Sequence, residues 1–380
     1  MAGTAQNNPA TNPAANAAAR AALFQTGFPS SIELPAQTFA DGGSYTFQLP
    51  HAGIGLYAQL RFTGTVTWTT GSAPTISNLA PYNWFKTIQY VDYLGNTRIQ
   101  SSGWPLHMIN KLKYYQQTNG ELVGSTSSTY GVTSRDYAYQ AAKIDLFALS
   151  GTSGTAANVD FEVVVPFTFH ENTTLGGQPF TVPAGNNVIN LTLNPLWNNT
   201  ATANAESPLY GTTPTTVAAS GSIYCTYYYI DPQPGAALPL MDFAQVYEIV
   251  DVKSTDNLTG GATKQVILPT GRTYQGLYGQ LVNAGQATDT GISQTQFLIN
   301  ESTPTLNEYY NSYLHRIRRT YGRDLPAGYL YWDFRNRPYS PSSYGSLALQ
   351  MILSSSFTPS GETFFNLTKE SLYVNTNNVY

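Results

Sequence analysis

A chain of 380 residues that is 42% hydrophobic can bury real cores and is long enough for two domains of ordinary size. Only 11% of it is charged, against about 25% in soluble domains, and a net charge of −4 gives no basic face for nucleic acid. The single cysteine, Cys225, excludes an internal disulfide and a cysteine-based zinc site.

Residues 1–30 differ from everything after them. Asn12 and Pro13 form a cap and first turn, and Ala14 to Phe24 are strong helix formers that Gly27 and Pro29 stop. The Ala-rich helix expected over residues 13–24 has only Leu23 and Phe24 as large apolar groups. A helix so short and so poor in apolar surface is marginal alone, so it reads as an arm that orders against something else. No basic-then-apolar leader and no apolar run near 18 residues is expected to act as a signal or a membrane span.

From Ile32 onward short alternating runs predict strands. They are Tyr45–Leu49, Leu60–Phe62 with Val66–Trp68, Thr87–Tyr93 before a Gly95-Asn96 turn, Phe161–Phe169, Asn187–Leu193 and Ser222–Ile230. Val266–Leu268, Leu347–Leu353 and Thr363–Leu367 continue the series. Many short strands with Pro and Gly between them indicate sandwiches or jelly rolls. Two segments break the pattern. Trp104, Met108, Ile109, Leu112 and Tyr115 share a helix face opened by Pro105. Thr305 and Glu308 form a capping-box pair, and Leu306, Tyr309, Tyr310, Tyr313, Leu314, Ile317 and Tyr321 follow as a buried stripe. Arg318 and Arg319 fall in the last turn, and Gly322 ends it. Between the two helices, Asp231 to Pro239 is the most linker-like stretch and divides the chain into halves that each carry one helix.

Low charge with 28 tyrosines points to surfaces that meet other protein, since interface cores lose charge and gain aromatics. Phage fibres and sugar-binding β proteins share this composition. Catalytic patterns are scarce. His51, His107, His170 and His315 have no metal-ligand spacing, and His107 beside Trp104 and Met108 reads as a packing group. There is no phosphate loop and no nucleophile elbow. Asp242, Glu248 or Asp333 would be the acids of a glycoside hydrolase pair, but 22 acids over the chain make such pairs by chance. Neither a cofactor nor a metal is implied, and no enzyme is expected.

Three islands resemble the major capsid proteins of tectiviruses, tailless phages with a membrane inside an icosahedral shell. One is Ser102-Gly-Trp-Pro-Leu-His-Met-Ile-Asn110, with Trp104 and His107 at matching positions. The second is Leu238-Pro-Leu-Met-Asp242-Phe to Tyr247. The third runs from Arg318-Arg319 through Tyr331, Asp333, Arg335 and Arg337 to Tyr344-Gly345. The islands occur in the family's order at similar spacing, while strands and long loops depart from it.

The resemblance implies an all-β chain of two tandem vertical jelly rolls, each with one helix of about four turns, plus a short N-terminal helical arm. This is the adenovirus hexon-like lineage. The corresponding domains are an arm at 1–30, a first roll at 31–234 and a second at 235–380. The implied function is a major capsid protein of the virion, made and assembled in the host cytoplasm. It trimerises into pseudo-hexagonal capsomers, with other trimers, penton and minor capsid proteins as partners. The arm would meet the internal membrane or neighbouring subunits, Arg20 at lipid headgroups and Leu23 and Phe24 as apolar grip. The alternative is a carbohydrate-binding or fibre-type β-sandwich that uses surface Tyr and Trp.

Overall fold

The computed structural model describes residues 22, 26–113, 146–147, 149, 156–167, 178–179, 186–231, 245–300, 303–321, 325–334 and 345–374. The first half holds β1 (Phe28–Glu33), β2 (Ser44–Leu49), β3 (Ile54–Thr69), β4 (Phe85–Val91) and β5 (Thr97–Ser101). Helix α1 (Gly103–Lys113) follows, then β6 (Ala157–Pro166), β7 (Asn187–Leu193) and β8 (Thr216–Asp231). The strands form two antiparallel sheets, β1-β8-β3-β6 and β2-β7-β4-β5, with two-residue strands at their margins. Period-two burial explains both. Tyr45, Phe47 and Leu49 of β2 and Ile189, Leu191 and Leu193 of β7 point inward, with polar residues between them.

The segments read as separate strands at Leu60–Phe62 and Val66–Trp68 form one 16-residue strand, β3, paired along nearly its whole length with β8. Gly64 makes this continuity possible. A Cβ there would lie 2.1 Å from the Ser220 carbonyl oxygen and 2.8 Å from Gly221 Cα, so the two backbones approach at a point only glycines allow.

The second half holds β9 (Gln245–Ser254), β10 (Thr263–Leu268), β11 (Arg272–Asn283), β12 (Ile292–Ile299) and β13 (Thr303–Tyr309). After these come α2 (Tyr310–Tyr321), β14 (Tyr329–Asp333), β15 (Leu347–Leu353) and β16 (Phe364–Val374). One sheet is β10-β15-β12-β13; the other runs β11-β16-β9, with β14 also on β11. This last sheet does not stop at the domain. Strand β9 pairs in parallel with β5 at Ile249↔Ile99 and Val250↔Gln100, so one nine-stranded sheet crosses both halves.

That sheet is a wall between two cores. Along β14, Tyr329 and Tyr331 join the first core while Leu330 and Trp332 join the second. Tyr278 and Val282 of β11 face the first core, and Leu277 and Leu281 the second. Strands buried on both faces read as unbroken apolar runs, as Tyr329-Leu-Tyr-Trp332 does. In the first core Trp84 stacks on Phe161 with ring centroids 5.9 Å apart, and Phe62 lies 4.7 Å from Trp84.

Both helices depart from expectation. Residues 103–110 of α1 are buried all round, so this stretch of the helix is core; Asn110 Nδ2 donates to the Val164 carbonyl oxygen at 3.0 Å. Helix α2 starts at Tyr310 and has 12 residues, about three turns, because Thr303–Tyr309 pair with β12 as strand β13. The Thr305–Glu308 capping box therefore does not form. Glu308 instead holds Arg316 at 2.8 and 2.9 Å. Tyr309 stands 72% exposed, outside the stripe, while Tyr310, Tyr313 and Ile317 are buried as expected. Tyr313 Oη donates to the Tyr331 carbonyl oxygen at 3.1 Å and ties α2 to the wall.

Candidate functional site

Two polar regions stand out in the fold, the outer face of one sheet and the seam between the halves. On the outer face of β3 and β8 every second residue turns outward, and these residues are mostly neutral. Tyr57 stacks on Tyr228 directly opposite, centroids 4.5 Å apart, and Tyr228 Oη donates to Gln59 Oε1 at 2.9 Å. Gln59 in turn donates to Glu162. Burial, with Tyr228 and Glu162 nearby, pushes the Tyr57 hydroxyl up to about 12, so it stays a neutral donor. Thr65 bonds Ser220 at 3.1 Å and Thr69 bonds Thr215 at 2.9 Å. Arg61 and Asp160 form a two-point ion pair, Nε to Oδ1 2.8 Å and Nη2 to Oδ2 2.5 Å.

The seam at β5 and β9 is built differently. Asp251 Oδ1 accepts from Ser101 Oγ (2.8 Å) and Thr368 Oγ1 (2.7 Å). Its Oδ2 accepts from Ser102 N (2.9 Å), Ser102 Oγ (3.2 Å) and Asn366 Nδ2 (3.4 Å). Burial raises its pKa against the pull of these bonds. Arg98 Nε bonds Asp92 Oδ2 at 2.6 Å and its Nη1 lies 3.3 Å from Glu248 Oε1; Glu248 Oε2 holds Arg272 Nε at 2.8 Å. Fully buried Glu370 accepts from Tyr247 Oη (2.5 Å) and Tyr278 Oη (2.8 Å). Burial first, then the Glu370 charge, keeps the Tyr278 hydroxyl protonated far above its ordinary range.

Loops add to this joint. Asn78 exchanges two hydrogen bonds with the Ala287 backbone, at 2.9 and 3.0 Å. Glu362 takes the Ala205 amide at 2.7 Å and Lys253 at 3.1 Å. Gly285, at φ +70°, admits the 203–204 backbone so closely that a Cβ would sit 2.2 Å from the Ala203 carbonyl oxygen. The two halves are thus one body, stapled through a continuous sheet, buried ion pairs and backbone contact.

Residues 14–236 match the family described as P3 major capsid protein N-terminal, which is more than half of the chain. The chain belongs to the P3 major capsid protein family. It is 24% identical over 349 residues to the major capsid protein P3 of Enterobacteria phage PRD1, covering 86% of this chain and 83% of that one. Its fold is similar to the major capsid protein of Sulfolobus Turreted Icosahedral Virus, with a TM-score of 0.66 at 14% identity over 93% of this chain and 100% of the other. PBCV-1 VP54 (0.60 at 13% identity, 91% and 94% covered) and protein P2 of bacteriophage PM2 (0.52 at 11%, 93% and 100% covered) share it. This P3-family chain is accordingly a double jelly-roll major capsid protein of an icosahedral virion.

Several expected positions of this P3-family protein fall within the seam. Trp104 and His107 are buried, His107 stacked on Tyr82 with centroids 3.5 Å apart, as a packing group. Tyr247 and Tyr331 line the wall, Asp333 ends β14 and Arg319 lies exposed in the last turn of α2. Arg20, Leu23, Phe24, Asp242, Arg335, Arg337 and Tyr344 lie outside the described residues, as do most of the 13–24 helix, all of the Asp231–Pro239 linker but Asp231, and His170. Glu248, one of the acids considered for catalysis, is held between two guanidiniums. Cys225 is a core thiol that burial pushes up to about 12.

Two readings change. Twelve tyrosines are buried in the chain's own cores, and among the described residues threonine is the commonest exposed one. Trp68, Trp84, Trp104 and Trp332, four of the five tryptophans, are buried as well, so among the described residues the aromatics left at least partly exposed are chiefly tyrosines such as Tyr309. Sequence reasoning missed Asp92, Arg98, Asp251, Arg272 and Glu370. An acid or arginine within a strand, such as Glu370 in β16, was the available signal.

Proposed function

We propose that this protein trimerises into a pseudo-hexagonal capsomer, and that such trimers tile the facets of a shell around an internal membrane. The stapled pair of rolls supports this reading. One chain carries two similar sandwiches in fixed relation, so three chains about a three-fold axis offer six corners to their neighbours. A neutral outer face that bonds within itself suits tight, repeated contact, since it buries without stranding charges. The domains are an arm over residues 1–30, a first roll at 31–234 and a second at 235–380, with strand β1 beginning three residues before the first boundary. Penton and minor capsid proteins are the further partners, and Arg20, Leu23 and Phe24 of the arm meet the membrane or neighbouring subunits. The role is structural and not enzymatic.

Light scattering on the purified protein tests this. Three chains of 41.4 kDa give about 124 kDa, in a particle that survives dilution. A stable monomer at 41.4 kDa would sink the proposal.

A further inference from the structure

A cavity of about 270 Å³ runs along the seam, with residues of both halves in its lining. Asn83, Trp104 and Asn194 come from the first half; Gln280 and Asn366 from the second. All five are at least nine-tenths buried, and each carries a polar atom with no partner among the described residues. These atoms are Oδ1 of Asn83, Asn194 and Asn366, Nε1 of Trp104 and Nε2 of Gln280.

The three asparagine orientations are fixed by their other ends. Asn83 Nδ2 donates to the Ala205 and Ser207 carbonyl oxygens at 3.3 and 3.1 Å, and Asn194 Nδ2 donates to the Asn83 carbonyl oxygen at 2.7 Å. Asn366 Nδ2 donates to Asp251. Flipping any of these amides would set oxygen against oxygen, so each Oδ1 stays an acceptor in want of a donor. Leaving five such atoms unmet would cost about 1–3 kcal/mol each, which native interiors rarely tolerate.

The set decides the ligand class. The residues that carry three fixed acceptors, the indole donor and the Gln280 amide share one lining. A cation satisfies the amide oxygens but not the indole N–H, and an anion does the reverse; a hydroxyl does both. Charge in the lining sums to zero, Lys86 and Lys253 against Glu206 and Asp251, and the Asp251 carboxylate is met by five hydrogen bonds. We propose that this cavity binds a neutral hydroxyl-bearing ligand, water or a small polyol, which bridges the two rolls at the seam. At about 30 Å³ per water the space suits a connected cluster of several waters.

The test is a crystal structure of the purified protein at a resolution that shows water, with a second crystal soaked in sorbitol. Oxygen peaks within about 3.2 Å of Asn83 Oδ1, Trp104 Nε1 and Gln280 Nε2 support the site. Continuous polyol density after soaking assigns it to polyols, and an unchanged cluster assigns it to water. A dry cavity, five atoms satisfied by protein groups, or an ion at the centre would overturn the proposal. In Gln280→Leu the peak beside residue 280 is expected to vanish while that at Asn83 remains; loss of neither tells against a shared cluster. The wild-type map decides the matter even if the variant fails to fold. The site is independent of the capsomer reading, because a monomer in solution leaves this map unaffected.

Discussion

The outer face of β3 and β8 and the seam at β5 and β9 are both polar, yet they are polar in opposite ways. On the outer face, hydroxyls and amides bond sideways to the adjacent strand, and its one two-point ion pair, Arg61 with Asp160, is partly exposed. Along the seam, Asp92, Arg98 and Glu248 have side chains less than a tenth exposed and satisfy one another across about 150 residues of sequence. Charge is used where the chain meets itself once, in fixed geometry. Neutral groups are used where a surface is available to other molecules. Buried ion pairs hold geometry well but tolerate poor registration badly, whereas hydroxyls can re-pair with little loss.

The largest effect expected from this contrast is at Glu248. Glu248→Ala leaves Arg98 buried with one carboxylate fewer and takes the Glu248 carboxylate from Arg272, so stability should fall by about 3–5 kcal/mol, read by denaturant unfolding of the isolated protein. The double variant Arg98→Met/Glu248→Leu should recover much of that loss, because well-packed apolar groups often replace buried pairs at little cost. If Glu248→Ala loses under 1 kcal/mol, the seam is no stiffer than the surface and the contrast fails. Asp251→Leu comes next, at about 1–3 kcal/mol, since it strands the Ser101, Ser102 and Thr368 donors.

The outer face should behave in the reverse manner. Arg61→Ala, at a pair whose side chains are 51% and 27% exposed, should change subunit stability by about 0–1 kcal/mol. Tyr228→Lys is expected to leave the fold intact but replace the Tyr57–Tyr228 stack with a long cation on the outer face, so the trimer fraction by light scattering should drop. Normal assembly of Tyr228→Lys would show that this face is not where copies meet.

The difference between the regions also explains what could be read in advance. Strands Asn187–Leu193 and Leu347–Leu353 were legible to the residue, because each fits a strand with a core face and turn residues close by. The start of α2 was not. Thr305 to Tyr309 carry a helix signature, and pairing with β12 overrides it, so tertiary context outweighs local propensity there. The seam was invisible for another reason. Ile99 and Ile249 are ordinary strand residues, and nothing local records that they pair, or that Asp251 awaits Ser101 and Ser102. Tyrosine divides between core and outer face, because strands buried on both sides take it as readily as a surface does. Tyr329-Leu-Tyr-Trp332 has no polar face to betray which way it points.

The smallest effect lies at the far side of the second roll, where one pair mixes both designs. Lys264 is buried, yet its carboxylate partner Asp256 is exposed, Nζ to Oδ1 at 2.7 Å, with Ser254 Oγ also on Nζ at 2.5 Å. Lys264, then Ser254, hold the Asp256 carboxyl down at about 2, against an ordinary value of 3.8. A folded pKa below the unfolded one means that the carboxylate stabilises the fold above about pH 4. That contribution disappears as pH falls toward about 2. Wild type should therefore melt slightly above Asp256→Asn at pH 5, and the two curves should converge on acidification through that window. Convergence at higher pH, or none at all, would mean that the exposed acid does not sense its buried cation, and that burial of one partner is insufficient to make a pair behave like the seam.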